Sequence, residues 1–245
     1  MLNGICLLPV IPMRKTKSDK SEMINQILFG ETFKILEKKS KWSQIELHHD
    51  KYKGWIDNKQ YHTLKRNKTT FNISNKKSAN ININSITQPL ILGSLIPRDK
   101  VLRKQLRIDE NLNFCTMKPM ENWFIKMAKK YLNTPYLWGG RTTLGIDCSG
   151  YTQMVYRFFN IQLPRDAYQQ EKNGKNISKI NDIKLGDLAF FNKKQSITHV
   201  GIILEKNKII HASGKVRIDL IDKNGIFNTE SQAYTHKLYS IKRVL

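Results

Sequence analysis

The chain has 245 residues, with 42 Lys plus Arg against 20 Asp plus Glu, a formal net charge of +22 and a pI near 9.9. Hydrophobic residues make up 40%, enough for ordinary packed cores, so wholesale disorder is excluded. Mean hydropathy is -0.49 and no run approaches the roughly 18 apolar residues of a membrane span, which excludes an integral helical membrane protein.

The first elements, in GICLLPVIPM, read as a strand whose prolines Pro9 and Pro12 suit edges and turns. An export signal needs a basic start, an apolar run of about 7–15 residues and a small-residue cleavage site. No Lys or Arg precedes Arg14 and no Ala-x-Ala pattern follows, so a cytoplasmic location is expected unless a signal has been removed. Beyond the polar Lys17–Ser21, Phe33, Ile35, Trp42, Ile45 and Leu47 sit on candidate strands separated by Gly30 and polar turns. Short strands at this spacing predict a small β-barrel over residues 1–63. Residues 64–118 open with a stretch rich in Asn and Lys, then NININSI and QPLILGSLIP, and predict a second small β-domain or, alternatively, a structured linker.

Residues 119–245 change character. Trp123, Phe124, Met127, Ala128, Tyr131 and Leu132 recur with helical spacing, and Asn133, Pro135, Gly139 and Gly140 end that helix. SGYTQMVYRFFNI is again helical, and GDLAFF, HVGIILE and KIIHASG read as three strands. Helices first and a sheet later give an α+β domain.

The chemistry concentrates there. The three cysteines, Cys6, Cys115 and Cys148, lie too far apart for a disulfide framework or a four-cysteine zinc site. Cys148 follows Asp147 and opens a predicted helix, where unpaired backbone N–H groups and the helix dipole favour a thiolate. A nucleophile also needs a base within hydrogen-bond reach. His199 begins one predicted strand and His211 ends the next, across a hairpin around Lys206–Lys208, so adjacent antiparallel strands can bring the two rings together. Position alone leaves two other readings of Cys148, an inert packing cysteine or a metal ligand with His199 and His211. Cys6 and Cys115 read as packing residues, and His48, His49, His62 and His236 as solvent-facing or structural.

Thr134-Pro-Tyr-Leu-Trp-Gly-Gly140, Gly145-Ile-Asp-Cys-Ser-Gly150, Leu163-Pro-Arg-Asp166, Leu185-Gly-Asp-Leu-Ala-Phe-Phe191, Thr198-His-Val-Gly-Ile202 and Ile210-His-Ala-Ser213 follow in that order. Together they resemble the NlpC family of papain-like cell-wall cysteine peptidases. Upstream, Ser21–Glu31, Lys53-Gly-Trp-Ile-Asp57 and Gln88-Pro-Leu-Ile-Leu-Gly-Ser94 resemble the two N-terminal bacterial SH3-like barrels of the subgroup that cleaves γ-D-glutamyl bonds in murein peptides. The resemblance implies an α+β papain-like catalytic domain over 119–245, behind all-β SH3-like barrels over 1–63 and 64–118. It implies a Cys148, His199, His211 triad, in which His199 is the base and His211 fixes its tautomer. The Cys148 backbone N–H and the Tyr136 hydroxyl are the expected oxyanion donors.

The implied substrate is a murein peptide, L-Ala-γ-D-Glu-diamino acid with a free N-terminus, cut after D-Glu. Tyr136, Trp138 and Asp147, with Glu22 and Tyr52 of the first barrel, are the implied partners of the free amine. Ser149, Arg165 and Asp166 are implied to line the γ-D-Glu side, and Ala167 stands where relatives often carry Ser. No metal or organic cofactor is implied, and no nucleic-acid partner. The positive charge is spread along a chain rich in Lys, Ile and Asn, residues of AT-rich codons, so it is read as compositional, with an anionic wall polymer as the alternative partner. An endopeptidase or transpeptidase on intact wall, with the barrels as anchors, keeps the same residues and changes the substrate. A binding module without catalysis would not need Cys148, His199 and His211 together.

Overall fold

The computed structural model describes residues 2–64, 70–108, 120–193 and 196–245. Its contacts divide the chain into two units, Met1–Met117 and Lys118–Leu245. Cys115 and the expected boundary at 118/119 lie outside the described residues.

The N-terminal unit begins with β1 (Asn3–Ile5), β2 (Val10–Arg14), β3 (Met23–Leu28), β4 (Thr32–Lys38), β5 (Trp42–Leu47), β6 (Lys53–Asp57) and β7 (His62–Leu64). They form one antiparallel sheet in the order β3-β2-β6-β5-β4-β1-β7. Alternation fixes its faces: in β5, Ser43, Ile45 and Leu47 point inward while Trp42, Gln44 and Glu46 do not. Cys6, Ile11, Met13, Ile27, Phe33, Ile45 and Ile56 fill the core. Burial raises the Cys6 thiol far above its ordinary range, so it packs as a small apolar residue.

Residues 70–108 add β8 (Phe71–Ile73), β9 (Ser78–Ile83), β10 (Ile86–Ile91), β11 (Leu95–Pro97) and the short helix α1 (Lys100–Gln105). β9 and β10 pair through a two-residue turn at Asn84-Ser85, both with positive φ. β11 pairs with β8. Ile81, Leu90, Ile96, Leu102 and Ile108 share one core with Ile5 of β1 and with Leu7 and Phe29 of the loops that follow β1 and β3.

The C-terminal unit starts with α2 (Met120–Lys129), which buries Phe124, Met127 and Ala128, as its apolar stripe predicts. A two-stranded ribbon, β12 (Arg141–Thr142) with β13 (Gly145–Ile146), leads into α3 (Cys148–Arg157). Every residue of α3 from Cys148 to Tyr156 is buried, which makes it the central helix. After α4 (Ala167–Gln170) come β14 (Lys175–Asn176), β15 (Leu188–Lys193), β16 (Ser196–Glu205), β17 (Lys208–Ser213), β18 (Lys215–Asp222), β19 (Gly225–Asn228) and β20 (Ala233–Arg243). The sheet order is β14-β20-β15-β16-β17-β18-β19, and β20 also pairs with β19. The first half of β20 meets β19 and the second half meets β15, so six strands close on themselves. Among the described residues no helix is long and apolar enough to cross a membrane.

Candidate active site

Cys148 is the first residue of α3 and only 5% exposed. Asp147 caps the helix: its Oδ1 accepts from the Gly150 N–H at 2.7 Å. Its Oδ2 accepts from the Gly139 N–H at 2.8 Å, which ties the 134–140 loop to the helix start. Arg165, 2% exposed, completes the set, with Nη1 donating to Oδ1 at 3.0 Å and Nη2 to Oδ2 at 2.5 Å. Arg165 Nη1 also donates to Ser149 Oγ at 3.0 Å. Gly150 allows this packing, since a Cβ there would lie 2.4 Å from the Gly140 carbonyl oxygen.

The histidines arrive by register. In the β16–β17 pair Gly201 faces His211, so His199, two residues before Gly201, is the diagonal neighbour of His211 on the same face. A Cβ on Gly201 would lie 2.9 Å from the Cβ of His211, so the missing side chain leaves the room through which the rings meet. His199 Nε2 and His211 Nδ1 are 2.8 Å apart, and His211 Nε2 is 3.1 Å from Asp219 Oδ2 on β18. Arg217 grips the same carboxylate, Nε to Oδ2 at 2.7 Å and Nη2 to Oδ1 at 3.0 Å. His236 of β20 stacks on His199 with ring centroids 4.2 Å apart and an interplanar angle of 27°. Phe191 lies against both rings.

The thiol lies beside β16, where the Val200 backbone hydrogen-bonds it, next in chain to His199. With Nε2 of His199 engaged by His211, Nδ1 is the ring nitrogen left to serve the thiol. Burial, then the Asp147 carboxylate, push the Cys148 thiol up to about 12, against backbone hydrogen bonds from Val200 and Ser149. Desolvation and the neighbouring carboxylate favour the protonated thiol, in opposition to the thiolate that the helix start favours. Burial likewise holds His199 well below the ordinary imidazole range, with His211 and His236 adding to it. Both shifts run toward the neutral form of each group.

Tyr136 and Trp138 project from the 134–140 loop, 37% and 60% exposed. The loop is pinned at Tyr136, whose N–H donates to the Gly214 carbonyl at 2.9 Å. Burial, then the Cys148 and Asp147 charges, raise the Tyr136 hydroxyl, so it stays a proton donor beside the nucleophile. Asp147, Ser149 and Arg165 gather next to Cys148, but they are buried and bonded to one another. Together they form a bonded framework around the start of α3. Asp166 caps the N-terminus of α4, and its N–H donates to Gln169 Oε1 at 3.3 Å. Glu22 and Tyr52 belong to the N-terminal unit: Glu22 meets Lys15 Nζ at 3.2 Å, and Tyr52 packs on the barrel core. Sequence reasoning missed Asp219, Arg217 and the stacked His236, since only strand register brings them to the histidines.

Residues 133–236 match the NlpC/P60 family, and residues 13–60 match the bacterial dipeptidyl-peptidase SH3 domain. The chain is 27% identical to a protein of Bacillus cereus (strain ATCC 10987 / NRS 248) named gamma-D-glutamyl-L-lysine dipeptidyl-peptidase, over 85% of this chain and 72% of that one. It is 37% identical, over 45% of its length, to the Escherichia coli (strain K12) protein named murein DD-endopeptidase MepS/murein LD-carboxypeptidase, of which it spans only 55%. A solved NlpC/P60 family protein from Bacillus cereus ATCC 10987 shares the fold, with a TM-score of 0.77 and 21% identity over 98% of this chain and 99% of that one.

Proposed function

Since the chain carries an NlpC/P60 domain after a bacterial dipeptidyl-peptidase SH3 domain, we propose that it hydrolyses the γ-D-glutamyl–diamino acid bond of murein peptides that have a free N-terminal L-Ala. The observation that carries this reading is buried Cys148 at the start of α3, hydrogen-bonded by the Val200 backbone next in chain to His199, which in turn meets His211 at 2.8 Å. Two further facts support the bond and the free amine: the SH3 match, and the relative named as a dipeptidyl-peptidase, a name for release of a dipeptide from an amino terminus.

The proposed steps use these residues in turn. His199 Nδ1 takes the thiol proton as Cys148 Sγ attacks the γ-carbonyl carbon of D-Glu. The oxyanion forms against the Cys148 backbone N–H at the helix start and the protonated Tyr136 hydroxyl. His199 passes the proton to the departing amine of the diamino acid. A water, deprotonated by His199, then cleaves the thioester and releases L-Ala-D-Glu. Because both shifts favour the neutral thiol and imidazole, the proton moves during attack instead of being transferred beforehand.

A second reading is an endopeptidase on intact wall. The higher identity, 37% over 112 residues, to a protein named as a murein DD-endopeptidase favours it. Incubating the protein with L-Ala-γ-D-Glu-L-Lys, L-Ala-γ-D-Glu-meso-diaminopimelate and purified wall, followed by mass spectrometry, separates the two. L-Ala-D-Glu released from the tripeptides supports the first reading. Products from wall alone would replace it with the second.

A further inference from the structure

The relay of ring nitrogens does not end at His211. We infer that Asp219 is a positioning residue that sets the tautomer of both histidines and thereby makes His199 a base toward Cys148. This rests on the reading of Cys148 and His199 as nucleophile and base.

Asp219 is buried, and every partner it has in the site is a donor. Arg217 Nε and Nη2 reach its two oxygens, and the Thr229 N–H and hydroxyl lie 3.3 and 3.4 Å from Oδ1. An ionised carboxylate only accepts. The hydrogen on the 3.1 Å bond between His211 Nε2 and Asp219 Oδ2 therefore sits on His211. His211 is buried and its protonation is disfavoured, so its other nitrogen, Nδ1, carries no hydrogen and accepts. The 2.8 Å bond to His199 Nε2 must then be filled by a hydrogen on His199. That leaves His199 Nδ1 with its lone pair, the state in which it can take the thiol proton. With the opposite pattern, His199 would carry hydrogen on Nδ1 and accept on Nε2, and it would have no base to offer. One carboxylate thus fixes two rings in series, diagonally across β16, β17 and β18.

Arg217 secures this arrangement. It binds Asp219 bidentately and extends to Glu230 Oε2 at 2.9 Å and Asn228 Oδ1 at 3.1 Å. Asp219→Asn would have to turn an NH2 toward donors on whichever side it chose. The Oδ1 side faces Arg217 Nη2 and both Thr229 donors, so the amide nitrogen is expected on the His211 side. There it would donate to His211 Nε2 and reverse both tautomers.

The test is long-range 1H–15N NMR of the imidazole nitrogens in the full chain, with the Cys148→Ala form as a substrate-independent sample. The wild-type pattern expected is hydrogen on Nε2 of both His199 and His211. Asp219→Asn is expected to move both hydrogens to Nδ1. Its kcat on a cleaved murein peptide should fall on the order of 10³–10⁴-fold with KM little changed, as a wrong tautomer does in a hydrolase triad. Asp219→Glu, which keeps the carboxylate, should restore the Nε2–H pattern and part of the rate. Wild-type His211 carrying its hydrogen on Nδ1 would overturn the inference without any variant. Unchanged tautomers in a folded Asp219→Asn protein would overturn it too, whatever the rate. A wild type that cleaves no murein peptide yet shows the Nε2–H pattern, reversed in Asp219→Asn, would remove the substrate reading and support the inference.

Discussion

Cys148 is the residue on which the account turns, and its surroundings keep it a thiol until a proton acceptor takes over. Burial and the Asp147 carboxylate push it up to about 12, well above the ordinary value of 9.0. Alkylation by iodoacetamide, a probe of the thiolate, should therefore be slow near neutral pH and climb steadily as pH rises. A rate that is already flat across about pH 6–8 would indicate a preformed thiolate–imidazolium pair and contradict this assignment. Arg165 makes a second residue-level claim. It neutralises Asp147 within the buried framework, so Arg165→Leu leaves a carboxylate without its ion partner beside the nucleophile. That substitution should destabilise the protein by about 3–5 kcal/mol, measured by denaturant unfolding. A loss below about 1 kcal/mol would mean that the pair behaves like an exposed ion pair.

At the level of elements, the site depends on β16 and β17 lying in one register, because a slip of one residue would send His199 and His211 to the opposite face. Gly201 is where that register allows the histidines to touch. Gly201→Ala places a methyl 2.7 Å from Ile209 Cδ1 and 2.9 Å from His211 Cβ. Overpacking of this kind costs about 1–3 kcal/mol. The predicted outcome is a protein that still folds, with a lowered melting temperature and a kcat reduced more than its stability, since His211 must shift. A variant with wild-type kcat would show that the His199–His211 contact is dispensable.

Much of this is legible in the residues. The alternating and apolar runs HVGIILE and KIIHASG mark two strands and a hairpin, and that pattern by itself pairs His199 with His211. Asp219 and Arg217 are not legible, because an Asp on an eight-residue strand looks like any polar position until β18 is laid beside β17. His236 reads as solvent-facing or structural because nothing local reveals that β20 bends to bring it onto His199. The Asp147–Arg165 ion pair is not legible either, because the two residues lie far apart in sequence and meet only in the fold.

At the scale of the molecule, the two family matches fall one in each compact unit, the SH3 domain within Met1–Met117 and the NlpC/P60 domain within Lys118–Leu245. The catalytic constellation lies wholly in the second unit. The proposed cysteine-dependent hydrolysis rests on that unit, whereas the claim of a free peptide substrate belongs to the chain as a whole. The most direct measurement is cleavage of L-Ala-γ-D-Glu-diamino acid peptides beside their N-acetylated forms, by the full-length wild type and Cys148→Ala. The account predicts L-Ala-D-Glu from the free-amine peptide only, and no product with Cys148→Ala. Equal cleavage of both forms, or cleavage that survives loss of the thiol, would contradict it.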